Sequence, residues 1–165
     1  MTQRFLLFAL SIFLAVLLLD QWSKRLILEQ FTSYDHAAIE VTSFFNIVLV
    51  WNTGVSFGLF ASHRQPLLLT AVSAVIIIML VIWLMKNTSK LVAASLGCVI
   101  GGAVANVIDR LRFGAVTDFL DFHIGAYHWP AFNVADSCIF IGVVLLSVSS
   151  MFAPNSQTKD KESSS

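Results

Sequence analysis

Residues 106–136 read N-V-I-D-R-L-R-F-G-A-V-T-D-F-L-D-F-H-I-G-A-Y-H-W-P-A-F-N-V-A-D, and three structural rhythms meet in them. Up to Asp109 the stretch closes an apolar run with small residues at every fourth place, Ala93, Gly97, Gly101 and Ala105, which is a helix with a flat packing face. From Ala115 to His123 the period becomes two: Val116, Asp118, Leu120 and Phe122 alternate with Thr117, Phe119, Asp121 and His123. A strand of this kind sets Asp118 on one face and Asp121 on the other. After Pro130, Asn133-Val134-Ala135-Asp136 opens another apolar run with an Asn cap and an acid three residues later. A short strand with acids is therefore held between two long apolar helices.

The whole chain fits that frame. It has 165 residues, 57% of them hydrophobic and 12% charged, with mean hydropathy +0.80. That balance is too apolar for an ordinary soluble domain and indicates a membrane protein. Apolar runs at about 5–22, 66–85, 91–109 and 134–152 each approach the roughly 20 residues needed to cross the hydrocarbon. The first run starts like a secretory signal peptide, but Asp-Gln-Trp-Ser-Lys-Arg follows it with no small-residue cleavage site, so a retained spanning helix is expected.

Four spans put both termini on one side, together with the short turn Lys86-Asn87-Thr88-Ser89-Lys90. Lysines and arginines divide evenly between the two sides, so the two lysines of that short turn decide a cytoplasmic placement of the termini. Nearly all other non-helical chain falls on the opposite, outer face. There, residues 38–61 are rich in β-branched and aromatic side chains broken by Gly54 and Gly58, and predict a small β-rich platform. The expected fold class is a membrane all-α bundle of four transmembrane helices carrying that extracytoplasmic platform, one domain over residues 1–153. The polar tail 154–165 is expected to be disordered.

Several functions find no support. A net charge of zero offers no basic stripe for nucleic acid. Cys98 and Cys138 both lie in apolar runs and read as buried thiols, with no disulfide framework or zinc spacing. His123 and His128 lack a metalloprotease spacing, and Ser23-Lys24 and Ser62-His63 are neighbours whose side chains diverge. No metal or cofactor is implied.

The acids remain. Asn106, Asp109 and Arg110 share one end of the third helix, and the expectation for Asp109 and Arg110 is a helix-end ion pair that supports a site. The Asn133–Asp136 motif is ambiguous alone, since caps are common. Yet it faces the same side as Asp118, whose strand neighbours are apolar. Two carboxylates in such surroundings share one proton, and the pair can take a proton from water while giving one to a carbonyl. Asp136 is expected to be the ionised member and Asp118 the protonated one. The Gly97-x-x-x-Gly101 face is expected to pack within the bundle.

Five blocks then carry a family resemblance: D-Q-W-S-K (20–24), W-N-T-G-V-S-F-G (51–58), G-G-A-V-A-N-V-I-D-R (101–110), G-A-V-T-D-F (114–119) and F-N-V-A-D (132–136). In this order across four spans, the chain resembles the lipoprotein signal peptidase, or signal peptidase II, family. The resemblance implies an aspartic endopeptidase of the bacterial inner membrane that works without metal near the outer face. It implies cleavage of prolipoproteins just before the diacylglyceryl-modified cysteine. Asp118 and Asp136 match its catalytic aspartates. Asp20, Lys24, Asn52, Gly54, Asn106, Asp109, Arg110, Asn133 and Ala135 match positions that bind substrate or support the site. Its partners would be lipidated prolipoproteins and membrane lipid, and a monomer is expected. Ser23, Ser56 and Ala105 depart from its usual residues, with slight packing changes expected. Gly54 and Gly58 would let the outer segment move as a clamp. Two other classes remain open on the residues alone: a proton-coupled carrier using the acids as a relay, and an assembly factor using the glycine face.

Overall fold

The computed structural model describes residues 3–33, 38–54 and 65–151. Four helices and four strands follow one another: α1 (Gln3–Ser33), β1 (Ala38–Thr42), β2 (Phe45–Asn52), α2 (Gln65–Lys86), α3 (Lys90–Phe113), β3 (Val116–Ile124), β4 (Tyr127–His128) and α4 (Val134–Met151). Each helix is long and apolar enough to span a membrane. The strands form one antiparallel sheet in the order β1-β2-β3-β4, so the four-span bundle with a small β platform is as the sequence predicts. What was expected of Ser56, Gly58 and the tail lies outside the described residues.

α3 is the axis of the bundle. Its apolar part is 61% buried inside the protein, against 6% to 17% for the other three. Its glycines explain the close packing: a Cβ at Gly97 would stand 2.7 Å from the carbonyl oxygen of Ala9, and one at Gly101 3.0 Å from that of Phe13, both on α1. On another side Gly102 admits α4, where a Cβ would lie 2.5 Å from the Ala135 oxygen. Gly142 of α4 returns the fit against the Ser95 oxygen at 2.7 Å. The small-residue ladder is thus spent on in-chain packing, as expected, because backbones in lipid associate by close contact rather than by hydrophobicity.

The first helix differs from expectation. It continues past Trp22 to Ser33. At about 1.5 Å per residue its 31 residues reach roughly 45 Å, against about 30 Å of hydrocarbon. Helix that clears the lipid needs no apolar surface, and the i, i+4 pairs Asp20–Lys24 and Arg25–Glu29 hold it together instead.

Burial is inverted relative to a soluble protein. Leu18, Leu67, Phe140 and many other apolar side chains of the spans are exposed, whereas Asp20, Lys24, Asn106, Asp109, Thr117, Asp118 and Asn133 are buried. The apolar cluster Ala9, Leu84, Val92, Ala93, Leu96 and Ile100 occupies the end near the 87–89 turn. Polar residues fill the opposite end, beneath the sheet.

Candidate active site

The polar end is assembled around Lys24. Its Nζ lies 2.7 Å from Asp20 Oδ2 and 2.9 Å from Asp109 Oδ2, and donates to Asn106 Oδ1 at 3.0 Å. The side chain is only 3% exposed. Each acid held by this ammonium also holds a piece of backbone. Asp20 Oδ1 accepts the Ala135 N–H at 2.8 Å, in the first turn of α4, and Asp109 Oδ2 accepts the Thr117 N–H at 3.1 Å, next to Asp118 on β3. One buried cation therefore fixes the entry to α4 and the start of β3 together. Gln21, which the sequence reading did not single out, completes the set by donating to Asp109 Oδ1 at 2.9 Å.

Asp118 is 1% exposed. Its Oδ1 accepts from Asn133 Nδ2 at 2.6 Å and its Oδ2 from Asn52 Nδ2 at 2.9 Å. Asn52 is itself aimed by its Oδ1, which accepts the Gly54 N–H at 2.8 Å. Gly54 has φ +82°, and a Cβ there would meet the end of the Leu69 side chain. The left-handed backbone calls for glycine. Burial pushes the Asp118 carboxyl up to about 6; the two asparagine hydrogen bonds oppose this and the Asp136 charge adds to it.

Asn133 resolves the ambiguity of the helix start. Its Oδ1 accepts the Asp136 N–H at 2.8 Å, so it does cap α4. Its amide nitrogen meanwhile binds Asp118 and reaches Asn106 Oδ1 at 3.2 Å. Asn106 Nδ2 in turn donates to Asp136 Oδ1 at 2.8 Å. Capping and site-building are one act by one side chain. The two asparagines join Asp118 to Asp136, the two acids expected to work together.

Most of the named residues converge here: Asp20, Lys24, Asn52, Asn106, Asp109, Asn133 and the Ala135 backbone all touch the frame of the two carboxylates. Arg110 does not. The expected Asp109–Arg110 ion pair is replaced by Asp109–Lys24, and the buried Nε of Arg110 makes no hydrogen bond among the described residues. The helix spacing was right, but a cation arriving on α1 outcompetes the sequence neighbour, because residues adjacent in a helix point apart. Asp121, on the opposite face of β3 from Asp118 as predicted, joins a separate cluster with Asn46 and His128. Beside Asp136, an apolar groove of about 420 Å³ is lined by Trp129, Phe132, Ser137, Phe140 and Ile141. Phe140 and Ile141 continue it onto the exposed outer side of α4.

A family model described as signal peptidase (SPase) II matches residues 12–152. Similar curated proteins include a lipoprotein signal peptidase of Rhodopseudomonas palustris (strain TIE-1), 45% identical over 141 residues, covering 82% of this chain and 86% of that one. Another, from Burkholderia cenocepacia (strain J2315), is 48% identical over 141 residues, with 83% of each chain covered. Two solved structures described as bacterial membrane enzymes are similar in fold. One has TM-score 0.76 and 28% identity, covering 89% of this chain and 94% of that one. The second has TM-score 0.73 and 30% identity, covering 87% of each.

Proposed function

The chain belongs to the lipoprotein signal peptidase (signal peptidase II) family, and on that premise we propose that Asp118 and Asp136 are its catalytic pair. It is an aspartic peptidase that removes signal peptides from prolipoproteins. The observation that carries the assignment is the two-asparagine bridge: Asn133 and Asn106 tie one oxygen of each acid into a single hydrogen-bonded unit.

Asp118, with its raised affinity for a proton, is the protonated member, and Asp136, at the positive end of the α4 dipole, is the base. Both Asp118 oxygens accept asparagine N–H groups, but each keeps a second lone-pair position, so the proton can sit toward the substrate. Asp136 takes a proton from water as the water oxygen bonds to the scissile carbonyl carbon, and Asp118 gives its proton to the carbonyl oxygen. When the resulting gem-diol collapses, the C–N bond breaks and the proton on Asp136 goes to the leaving nitrogen. A diol hydroxyl returns its proton to Asp118. Each positioned acid–base group of this kind contributes roughly 10²- to 10⁴-fold in rate.

Cleavage falls just before the diacylglyceryl-modified cysteine. The groove at Asp136 supports this finer reading, since it is apolar, adjoins the acid and opens toward lipid along Phe140 and Ile141. The termini lie in the cytoplasm and the site near the outer face, supported by Lys86 and Lys90 flanking the short α2–α3 turn. Asp20, Lys24, Asn52, Gly54, Asn106, Asp109, Asn133 and Ala135 support the pair through the contacts described above, and the protein acts as a monomer in the inner membrane.

Purified protein in detergent with a lipidated prolipoprotein tests the assignment. Asp118→Asn and Asp136→Asn should each lower cleavage at least 10²-fold while keeping the thermal transition of a folded protein. Cleavage at wild-type rate by either variant overturns the pairing.

A further inference from the structure

We propose that Asp121 and His128 form a positioning pair that fastens the β3–β4 hairpin and so sets where Asp118 stands relative to Asp136. The proposal rests on the catalytic assignment above and extends it to two residues outside the site.

The chain between the two acids must turn back on itself. β3 leaves Asp118, reverses at Gly125 (φ +58°), and returns through β4 and residues 129–132 to the α4 cap at Asn133. Beyond the β4 ladder pairs His123–His128 and Ile124–Tyr127, the return is tied to β3 by backbone at two places. The Trp129 N–H donates to the Phe122 oxygen at 2.8 Å, and the Leu120 N–H and Phe132 oxygen meet at 2.8 Å. Between these ties lie Pro130, which has no N–H to give, and Ala131. Asp121 sits on β3 between the two tied residues, where the backbone ladder is incomplete.

Asp121 adds a side-chain tie at the edge of that gap, to His128 just before Trp129. It is 6% exposed, and both its oxygens lie 2.9 Å from His128 Nδ1. Asn46 on β2 donates to Oδ2 at 3.2 Å. The His128 ring is further held by stacking on His123, with centroids 4.8 Å apart and planes 19° apart. His123, His128 and Asn46 surround the carboxylate, and Glu40 on β1 is the next residue in the same cross-strand row, paired with Asn46. Burial alone would raise the Asp121 carboxyl, yet the His128 and Asn46 hydrogen bonds and the imidazole charges hold it below the usual range. The acceptor is buried while its His128 partner is half-exposed, and donors reach it from both sides. It joins β2, β3 and the return segment at a point three residues from Asp118, while strand alternation keeps it out of the catalytic cleft itself.

Replacement isosteres at His128 separate a geometric role from a bulk one. Asparagine places an N–H donor where Nδ1 lies, glutamine places it near Nε2 and out of reach of Asp121, and alanine removes it. With wild type cleaving normally, His128→Ala and His128→Gln should lower kcat roughly 10- to 100-fold with KM within twofold, the scale set by small displacements of reacting groups. His128→Asn should stay within about threefold of wild type on that scale. Asp121→Asn should match His128→Ala, and adding His128→Ala to it should cause little further loss. Unchanged kcat in His128→Gln, equal loss in the asparagine and glutamine variants, or a rise in KM alone each overturns the proposal. Failure of wild type to cleave, or full activity in Asp118→Asn, would instead strike at the catalytic assignment.

Discussion

Replacing Lys24 with methionine keeps the length and apolar stem of the side chain while removing the charge. In the structure that charge is 3% exposed and lies 2.7 and 2.9 Å from two buried carboxylates. Removing one partner of a buried ion pair costs about 3–5 kcal/mol, mainly because the other charge is left unmatched. For a chain of this length about 2–4 °C of melting temperature goes with each kcal/mol, so Lys24→Met should melt roughly 6–20 °C below wild type. The two cysteines, Cys98 and Cys138, lie within α3 and α4. Both are only half-buried, not core thiols as the sequence suggested, so a rise in their reaction with a thiol-specific dye above the folded baseline during heating in detergent reports loss of the bundle. Adding Asp109→Asn removes one of the stranded carboxylates, and the double variant should recover part of the loss, with a coupling of about 0.5–3 kcal/mol. A Lys24→Met protein melting within about 2 °C of wild type, or strictly additive losses in the double variant, would refute the view that this ammonium holds the frame.

Three further outcomes follow from the site. Asn133→Asp keeps an oxygen to cap the Asp136 N–H but replaces the donor at 2.6 Å from Asp118 with a like charge; cleavage should fall at least tenfold while the cap contribution of about 0.5–2 kcal/mol is retained, as activity and melting measured side by side will show. Gly102→Ala puts a methyl 2.5 Å from the Ala135 oxygen, so α4 must shift at the turn carrying Asp136. A loss of about 1–3 kcal/mol and a fall in kcat of about 10²-fold are expected from unfolding and steady-state assays. The Asp118 carboxyl, raised from 3.8 to about 6, binds its proton more tightly folded than unfolded. Its contribution to stability is full below about pH 4 and is lost as pH rises through about 6, a swing of about 3 kcal/mol. Unfolding measured from pH 4 to 8 should lose that slope in Asp118→Asn.

Local pattern carried much of this structure. The spans were legible because lipid demands continuous apolar length, and the separation of Asp118 from Asp121 because a strand has period two. The far part of α1 was not, since helix outside the hydrocarbon is polar and resembles a loop; only Asp20–Lys24 and Arg25–Glu29 at i, i+4 signalled it. Partner choice was least legible. Asp109 has Arg110 beside it in sequence, yet it is neutralised by Lys24 from another helix. Gln21 lay inside the D-Q-W-S-K block and could have been noticed there, one position from Asp20 on the same helix turn. Asn46 offered no signal at all before the register placed it opposite Asp121.

The i, i+4 ion pair of α1 has a consequence for biosynthesis. Asp20 and Lys24 neutralise each other within one helix, so the first span can enter the bilayer before any other span exists to meet its charges. Asp109 arrives later on α3, where α1 already presents its ammonium, and Asp136 later still on α4, where Asn106 already waits to donate to it. Synthesis and charge compensation thus run in the same direction, from the amino terminus onward. A permuted chain that opened on α3 would bring Asp109 to the lipid boundary with no Lys24 to receive it, and would meet the insertion penalty of a lone carboxylate that the natural order avoids.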